Sequence, residues 1–522
     1  MSQTSFETFQ ELASRGTFVP VCKEIRADLL TPLSAFLKVA EDADQAFLFE
    51  SVEGGEHVAR YSFLGKDPFL VLRSRNGVTI VEKNGDTTTE TTPFLERLRA
   101  VMGDYQAVQT NLQRSINEIK SQLTLGDAFT DDEFREIIAK AYDGFGHAAR
   151  APLVQLAPGH FLLELFHGPT LAFKDFAMQL IAQLFEIALK RSGQRITIVG
   201  ATSGDTGSAA IEAFRGIDNV DVFIMFPHGR VSEVQRRQMT TPDAANVHAL
   251  ALDGHFDDCQ ARLKDLFNDH DFRDGVGLAG INSINWARVV AQIVYYVTAA
   301  ASLGMRDTDF CVPTGNFGDI FAGSMARAMG APIRRLIVAT NQNDILHRAL
   351  STGEYRVGEV APSMSPSMDI QVSSNFERAL YLAYGGDAGA IAQLMEELRS
   401  GGFTVSQGAL QALRAQYVSG RVGEEETLAT IRTIRAETGQ ILCPHSAVGV
   451  AVARHHAEPG VPMVTLATAH PAKFPDAVEK AVGIRPALPP HMAGLFDLPE
   501  RVTRVENDTA ALEALILERR TI

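Results

Sequence analysis

The run Ile196-Thr197-Ile198-Val199-Gly200-Ala201-Thr202-Ser203-Gly204-Asp205-Thr206-Gly207-Ser208-Ala209-Ala210 passes from a β-branched apolar tetrapeptide through a glycine turn into small residues of helical character. Strand, tight turn and helix form the repeating unit of a parallel sheet, and the pattern recurs downstream. Apolar runs at 220–226, 336–339 and 462–466 alternate with helical stretches at 176–190, 206–214 and 286–301. Continuous apolar strands separated by helices predict a parallel sheet covered on both faces, so the region after about residue 129 reads as α/β. Ligands of such sheets bind at the carboxyl ends of the strands, which directs attention to the loops that follow strands.

Composition sets the limits of that reading. The chain has 522 residues, 45% of them hydrophobic, and 48 basic against 63 acidic side chains give a net charge of −15. This is a globular composition, and nothing in it offers a polyanion a basic face, so nucleic acid is excluded as the main partner. Cys22, Cys259, Cys311 and Cys443 lie far apart, with neither disulfide-scaffold density nor zinc-ligand spacing. The opening MSQTSFETFQELASRG has no basic region followed by an apolar core. The apolar stretch 289–305 contains Gln292 and falls short of the about 20 residues that span a bilayer, so it predicts a buried helix. A cytoplasmic protein without a membrane partner is expected, monomeric or homodimeric.

Two loops have the chemistry of an anion site. The first is the Gly200–Ala210 turn quoted above. The second, PTGNFGD at 313–319, again joins a strand to a helix. Small residues let the backbone approach a ligand, and unpaired N–H groups at a helix start attract anions. Neither loop matches GxxxxGK[ST] or a full GxGxxG, so ATP and dinucleotides are not favoured. A third element is HGPTLAFKDF at 167–176. Lys174, between Phe173 and Phe176, either snorkels to solvent or sits in an apolar pocket, where a lowered pKa suits Schiff-base chemistry. A Schiff-base lysine, a phosphate loop and a second polar loop together meet the needs of pyridoxal phosphate.

From about residue 129 onward the chain resembles the threonine synthases, fold type II pyridoxal-phosphate enzymes related to the tryptophan synthase β subunit. The motifs that carry the resemblance are LLELFHGPTLAFKD (162–175), GATSGDTGSAA (200–210), VQRRQMTT (234–241), INSINWAR (281–288), PTGNFGD (313–319), ATNQNDIL (339–346), SPSMDIQVSSNFER (365–378) and TAHPAKFPD (468–476). The resemblance implies two interleaved α/β domains and a lysine, Lys174, that holds the cofactor. It implies a phosphate cradle at Gly315, Asn316, Phe317 and Gly318. Ser203, Gly204, Asp205 and Thr206 would contact the cofactor's ring edge, with Ser203 and Thr206 also touching the substrate. Asp205 would then face a phenolate oxygen and would need a proton or a cationic neighbour. Thr468 aligns with the residue that bonds the pyridine nitrogen. Asn282, Ser283, Asn285 and Arg288 would receive the substrate phosphate, with Lys473 a weaker candidate for the same anion. The implied reaction converts O-phospho-L-homoserine and water to L-threonine and phosphate, by γ-elimination followed by β-addition of water. A serine/threonine dehydratase is the chemical competitor within the fold, but it has no substrate phosphate to hold.

Other features have plainer readings. Adjacent helical residues do not share a face, so His455-His456 is not expected to bind metal. Trp286 is expected in the core, the 424–426 glutamates on a solvated helix face, and Arg236-Arg237 either at the substrate phosphate or in surface ion pairs. His470 is open between a structural and a catalytic role.

Residues 18 to about 92 read as β-rich, with Asn76-Gly77 a two-residue hairpin signal and a second reversal at 84–86. FVPVCKEIRADLLTPLSAFLKV (18–39) and FLFESVEGGEHVARYSFLG (47–65) resemble the amino-terminal part of anthranilate synthase component I. In that family Glu50 and Ser51 would fall in the tryptophan feedback site, while the catalytic portion of that enzyme is missing. The expected organisation is therefore a fragment at 1–108, a linker or connecting helix at 109–128, and the catalytic region at 129–522. The front segment is then inert, a tryptophan-sensing module, or the scar of a catalytically impaired chimera.

Overall fold

The computed structural model describes residues 46–49, 63–66, 70–75, 78–83, 86–92, 96–97, 100 and 129–521. The chain divides into two compact units, residues 1–117 and 118–522. The expected segment at 109–128, Cys22, Glu50 and Ser51 lie outside the described residues.

In the first unit, strands β1 (Ala46–Phe49) and β2 (Phe63–Lys66) pair antiparallel. β3 (Leu70–Arg75), β4 (Val78–Lys83) and β5 (Asp86–Glu90) form an antiparallel meander in the order β3-β4-β5. The hairpins fall where the two reversals are expected, because alternation along β4 buries Thr79 and Val81 while their neighbours stay partly exposed.

The second unit contains two main sheets that the chain visits in turn. β6 (Leu153–Ala157) and β7 (His160–Glu164) begin the second sheet. The chain then leaves to build the first sheet with β8 (Ile196–Ala201), β9 (Val220–Pro227), β10 (Val247–Leu252) and β11 (Leu278–Ala279). It returns for β12 (Thr308–Pro313) and β13 (Ile333–Thr340). A small antiparallel pair, β14 (Glu354–Arg356) and β15 (Gly402–Thr404), precedes β16 (Tyr417–Arg421) and β17 (Met463–Ala467), which complete the second sheet. Last, β18 (Thr503–Val505) goes back to the edge of the first. The orders are β11-β8-β9-β10-β18, all parallel, and β16-β13-β12-β17-β7-β6, parallel except for β6 against β7. Two interleaved parallel-sheet domains of the α/β class are the architecture expected above.

Helices cover these sheets. Those that build the site are α1 (Lys174–Ser192), α2 (Asp205–Phe214), α3 (Glu233–Thr240), α4 (Trp286–Ser302), α5 (Gly318–Ala328) and α6 (Pro444–His456). β9 is buried along its whole length, as its unbroken apolar run demands of a strand covered on both faces. Val199, Phe223, Met225, Leu250 and Leu252 pack with Leu512 and Ile516 of α7 (Thr509–Arg519), so the C-terminal helix belongs to the first sheet's core. α6 is buried from Pro444 to Ala453 and lies close on the second sheet: a Cβ at Gly449 would meet Pro313 and Thr465 atoms at 2.9 Å. The apolar stretch near 289–305 forms most of α4 and is a core helix. Among the described residues no helix is long and apolar enough to cross a membrane.

Candidate active site

Lys174 opens α1, and the segment before it is pinned to the turn that follows β17. Phe173 N donates to Thr468 O at 2.9 Å, His470 N donates to Leu171 O at 3.0 Å, and Ala172 bridges Ala469. Leu171 adopts φ 63, a left-handed conformation that strains a branched residue and that the surrounding contacts must impose. Thr468 is buried there.

The first glycine turn brings Asp205 to the lysine. Lys174 Nζ lies 3.4 Å from Asp205 Oδ2, and the lysine side chain is 13% exposed. Gly204, φ 137, has no room for a side chain, because a Cβ there would meet the Gln235 amide at 2.4–2.6 Å. Gln235 Nε2 in turn donates to Asp205 Oδ1 at 2.9 Å, and Lys473 Nζ lies 2.9 Å from the same oxygen. The cationic neighbour that Asp205 requires is therefore present twice. Burial pushes the Asp205 carboxyl up, but Lys473, Lys174 and Gln235 overcome it and hold the group well below the usual carboxylate range. Burial pushes the Lys174 amine down; Asp205 opposes the shift, while Arg288 and Lys473 add to it.

Lys473 does not offer a free cation to an anion, contrary to the expectation above. It is fully buried, and besides Asp205 it donates to Thr170 O at 2.7 Å. Arg288 is the opposite case. Buried at 3% exposure, it donates from Nη1 to Ile281 O at 3.0 Å, has no acidic partner among the described residues, and leaves Nε without an acceptor. A desolvated guanidinium in that condition is able to accept an anion. Burial pushes it down to about 10.

The second glycine turn meets the first residues of α4. A Cβ at Gly315 would lie 2.6 Å from Ser367 O, so backbone alone fits there. Phe317, φ 61 and buried, precedes α5, whose start carries no side-chain cap. Uncapped N–H groups beside a glycine turn suit a phosphate, and with the buried low-pKa Lys174 and the paired Asp205 the residues present fit pyridoxal phosphate. Asn316 is exposed and its carbonyl accepts from Asn375 N at 3.1 Å. Ser283 Oγ bonds Ser374 Oγ at 2.8 Å, and Ser374 reaches Asn316 Oδ1 at 3.3 Å, which links the INSIN turn to the cradle. Asn285 spends its side-chain oxygen on capping α4 through Ala287 N, and Asn282 is exposed.

Several participants escaped sequence reasoning. In VQRRQMTT it is not the arginines but Gln235 and Gln238 that face inward, and Gln238 Nε2 donates to Thr170 O at 3.0 Å. Their spacing of three on a helix was the available signal. Arg236 and Arg237 pair with Glu500, which decides for the surface ion-pair reading. Asp175, beside Lys174, fixes the HGPT loop by accepting from Thr170 N and Oγ1 at 2.8 and 2.6 Å. Asp319, on α5, accepts from Tyr295 and Tyr296 and leaves Oδ2 unpartnered. Trp286 is half-buried beneath the Arg378 guanidinium, 5.2 Å from its ring centre, so the core expectation does not hold. His470 caps the short helix Pro471–Lys473 by accepting from Ala472 N, a structural role. His455 pairs with Glu426, and no metal-binding cluster occurs among the described residues.

The chain is similar to known proteins over most of its length. Residues 146–393 match the family described as "Pyridoxal-phosphate dependent enzyme", and residues 446–516 match "Threonine synthase, C-terminal". Threonine synthase of Pseudomonas aeruginosa is 52% identical over 394 residues, 74% of this chain and 84% of that protein. The Saccharomyces cerevisiae enzyme is 43% identical over 388 residues, 67% of this chain and 75% of that one. The crystal structure of PLP-bound threonine synthase from Brucella melitensis aligns with TM-score 0.74 at 52% identity, covering 77% of this chain and 89% of that one. The yeast structure gives TM-score 0.72 at 37% identity, covering 78% and 88%.

Proposed function

The chain belongs to the threonine synthase family, and from that premise we propose that it converts O-phospho-L-homoserine and water to L-threonine and phosphate with Lys174 as the amine that carries the cofactor. It is a pyridoxal-phosphate-dependent lyase. When bound, pyridoxal phosphate supplies the electron sink that lets protons leave the α- and β-carbons.

The chain's own residues divide the remaining work. Gly315, Asn316, Phe317 and Gly318 hold the cofactor's phosphate through backbone N–H groups. Thr468 would offer the ring nitrogen a neutral hydroxyl, and Asp205, held by Lys473, would serve the ring's oxygen substituent. Ser203 and Thr206 hold the substrate carboxylate. Lys174 takes the proton from the substrate's α-carbon and returns it at product release. Arg288 grips the phosphate as it leaves the γ-carbon, with Ser283 and the amide of Asn285 at the rim. Support for this division comes chiefly from one observation: a buried arginine without an acid stands within electrostatic reach of a buried lysine that faces one. An amino acid bearing a phosphate meets both cations, whereas a dehydratase substrate would leave Arg288 unpaired.

The full chain should take up pyridoxal phosphate with visible absorbance and release phosphate from O-phospho-L-homoserine. Lys174→Ala should abolish both, and normal turnover in that variant would disprove the lysine's role. For residues 1–108 we propose an accessory fragment of anthranilate synthase component I type that leaves the chemistry untouched. Support comes from the position of the site residues, all downstream of residue 129.

A further inference from the structure

Two lysines share one buried carboxylate in this site, one on each oxygen. Asp205 Oδ2 faces Lys174 Nζ at 3.4 Å, and Oδ1 lies 2.9 Å from Lys473 Nζ. Lys473 also donates to Thr170 O, whose residue is fastened to Asp175, the neighbour of Lys174. Desolvating an ammonium costs several kcal/mol and a pair recovers only part of that, so stability alone does not account for a lysine here.

We propose that Lys473 is a positioning residue for the Lys174 amine: it anchors Asp205 on the oxygen away from Lys174 and cancels much of that carboxylate's pull on the amine. The groups that act on Lys174 come from every neighbouring element. Asp205 of α2 attracts its proton, while Arg288 of α4 and Lys473 of the turn after β17 repel it. Asp319 of α5 and His445 of α6 also lie within electrostatic reach. His445 is pushed by burial down to about 4 and is uncharged at neutral pH. Of the two repelling cations, Arg288 is open to an anion. Once a phosphate neutralises it, Lys473 is the cation whose effect on the amine persists with substrate in place.

This inference rests on Lys174 being the cofactor's amine, and the experiment keeps the two apart. The full-length apoprotein is labelled with acetic anhydride across a range of pH, and acetylation of Lys174 is followed by mass spectrometry. Opposite charges at such distances move a titration by about 1 unit or more. Asp205→Asn should therefore lower the midpoint by about 1 pH unit or more, Lys473→Met should raise it similarly, and the double variant should return close to the parent. A lysine that only filled space would change stability but leave the Lys473→Met midpoint at the parent's and the double variant's at that of Asp205→Asn, which overturns the proposal. If Lys473→Met fails to fold, the other two variants still decide: an unmoved Asp205→Asn midpoint, or a double variant that does not return, refutes it. Borohydride reduction of the parent with pyridoxal phosphate reports separately whether Lys174 takes the cofactor.

Discussion

Replacing Arg288 by methionine should separate function from stability. The exchange removes the Nη1 bond to Ile281 O and leaves that buried carbonyl without a partner, a loss of about 1–3 kcal/mol. It also removes a desolvated charge that has no acid beside it, and such an uncompensated ion costs several kcal/mol. The second effect equals or exceeds the first, so urea unfolding of the apoprotein should show Arg288→Met as stable as the parent or up to about 3 kcal/mol more stable. Losing one partner of a buried charge pair costs about 2–5 kcal/mol of binding. At about 1.36 kcal/mol per tenfold, kcat/KM for O-phospho-L-homoserine should fall by about 30- to 5,000-fold. With pyridoxal phosphate bound and the 315–318 cradle filled, inorganic phosphate should raise the melting temperature of the parent and not of the variant. A variant that loses several kcal/mol of stability, yet keeps both phosphate protection and kcat/KM, would show that Arg288 is a structural residue and refute the argument.

Three further outcomes are expected. Gly315→Ala should weaken pyridoxal-phosphate binding in a fluorescence titration, because its Cβ at 2.6 Å from Ser367 O displaces the cradle against about 1–3 kcal/mol of strain. Burial raises the Asp319 carboxyl to about 6. With an unfolded value near 4, the folded state holds the extra proton between the two, and stability falls as pH rises from about 4 to 6. Asp319→Asn keeps the acceptor for both tyrosines and removes that decline, so its unfolding free energy relative to the parent should improve by about 2–3 kcal/mol from pH 4 to pH 8; an unchanged difference counts against the shift. Added tryptophan should change neither phosphate release nor melting temperature, and a shift in either would make residues 1–108 a sensing module.

Much of this molecule was legible because its signals are local. Ile196 to Val199 and the 220–226 run declared buried strands, Asn76-Gly77 marked a hairpin, and the motifs around Lys174, Asp205 and Gly315 marked the turns that meet. Pair partners across hundreds of residues leave no such trace. Nothing in TAHPAKFPD says that its lysine turns inward to Asp205 rather than outward to an anion. The short strand Thr503–Val505 has too few residues to declare a period. Gln235 and Gln238 flank two arginines whose charge is the stronger sequence signal, although a helix repeats every 3.6 residues and places the glutamines together.

The interleaving of the two sheets also sets a timetable for biosynthesis. β7 pairs with β17, which is made roughly 300 residues later, and at about 5–20 residues per second the ribosome takes about 15–60 s to supply it. Through that interval His160–Glu164 has only β6 alongside, while β8, β9 and β10 are already free to pair with one another. Three strands of the first sheet can therefore pair while the nascent second sheet still presents an open apolar edge, although β18 and α7 complete the first sheet only after β17 is made. Chaperone engagement should concentrate on that edge, and synonymous codons that slow translation between β7 and β17 should lower the soluble yield without altering a single side chain.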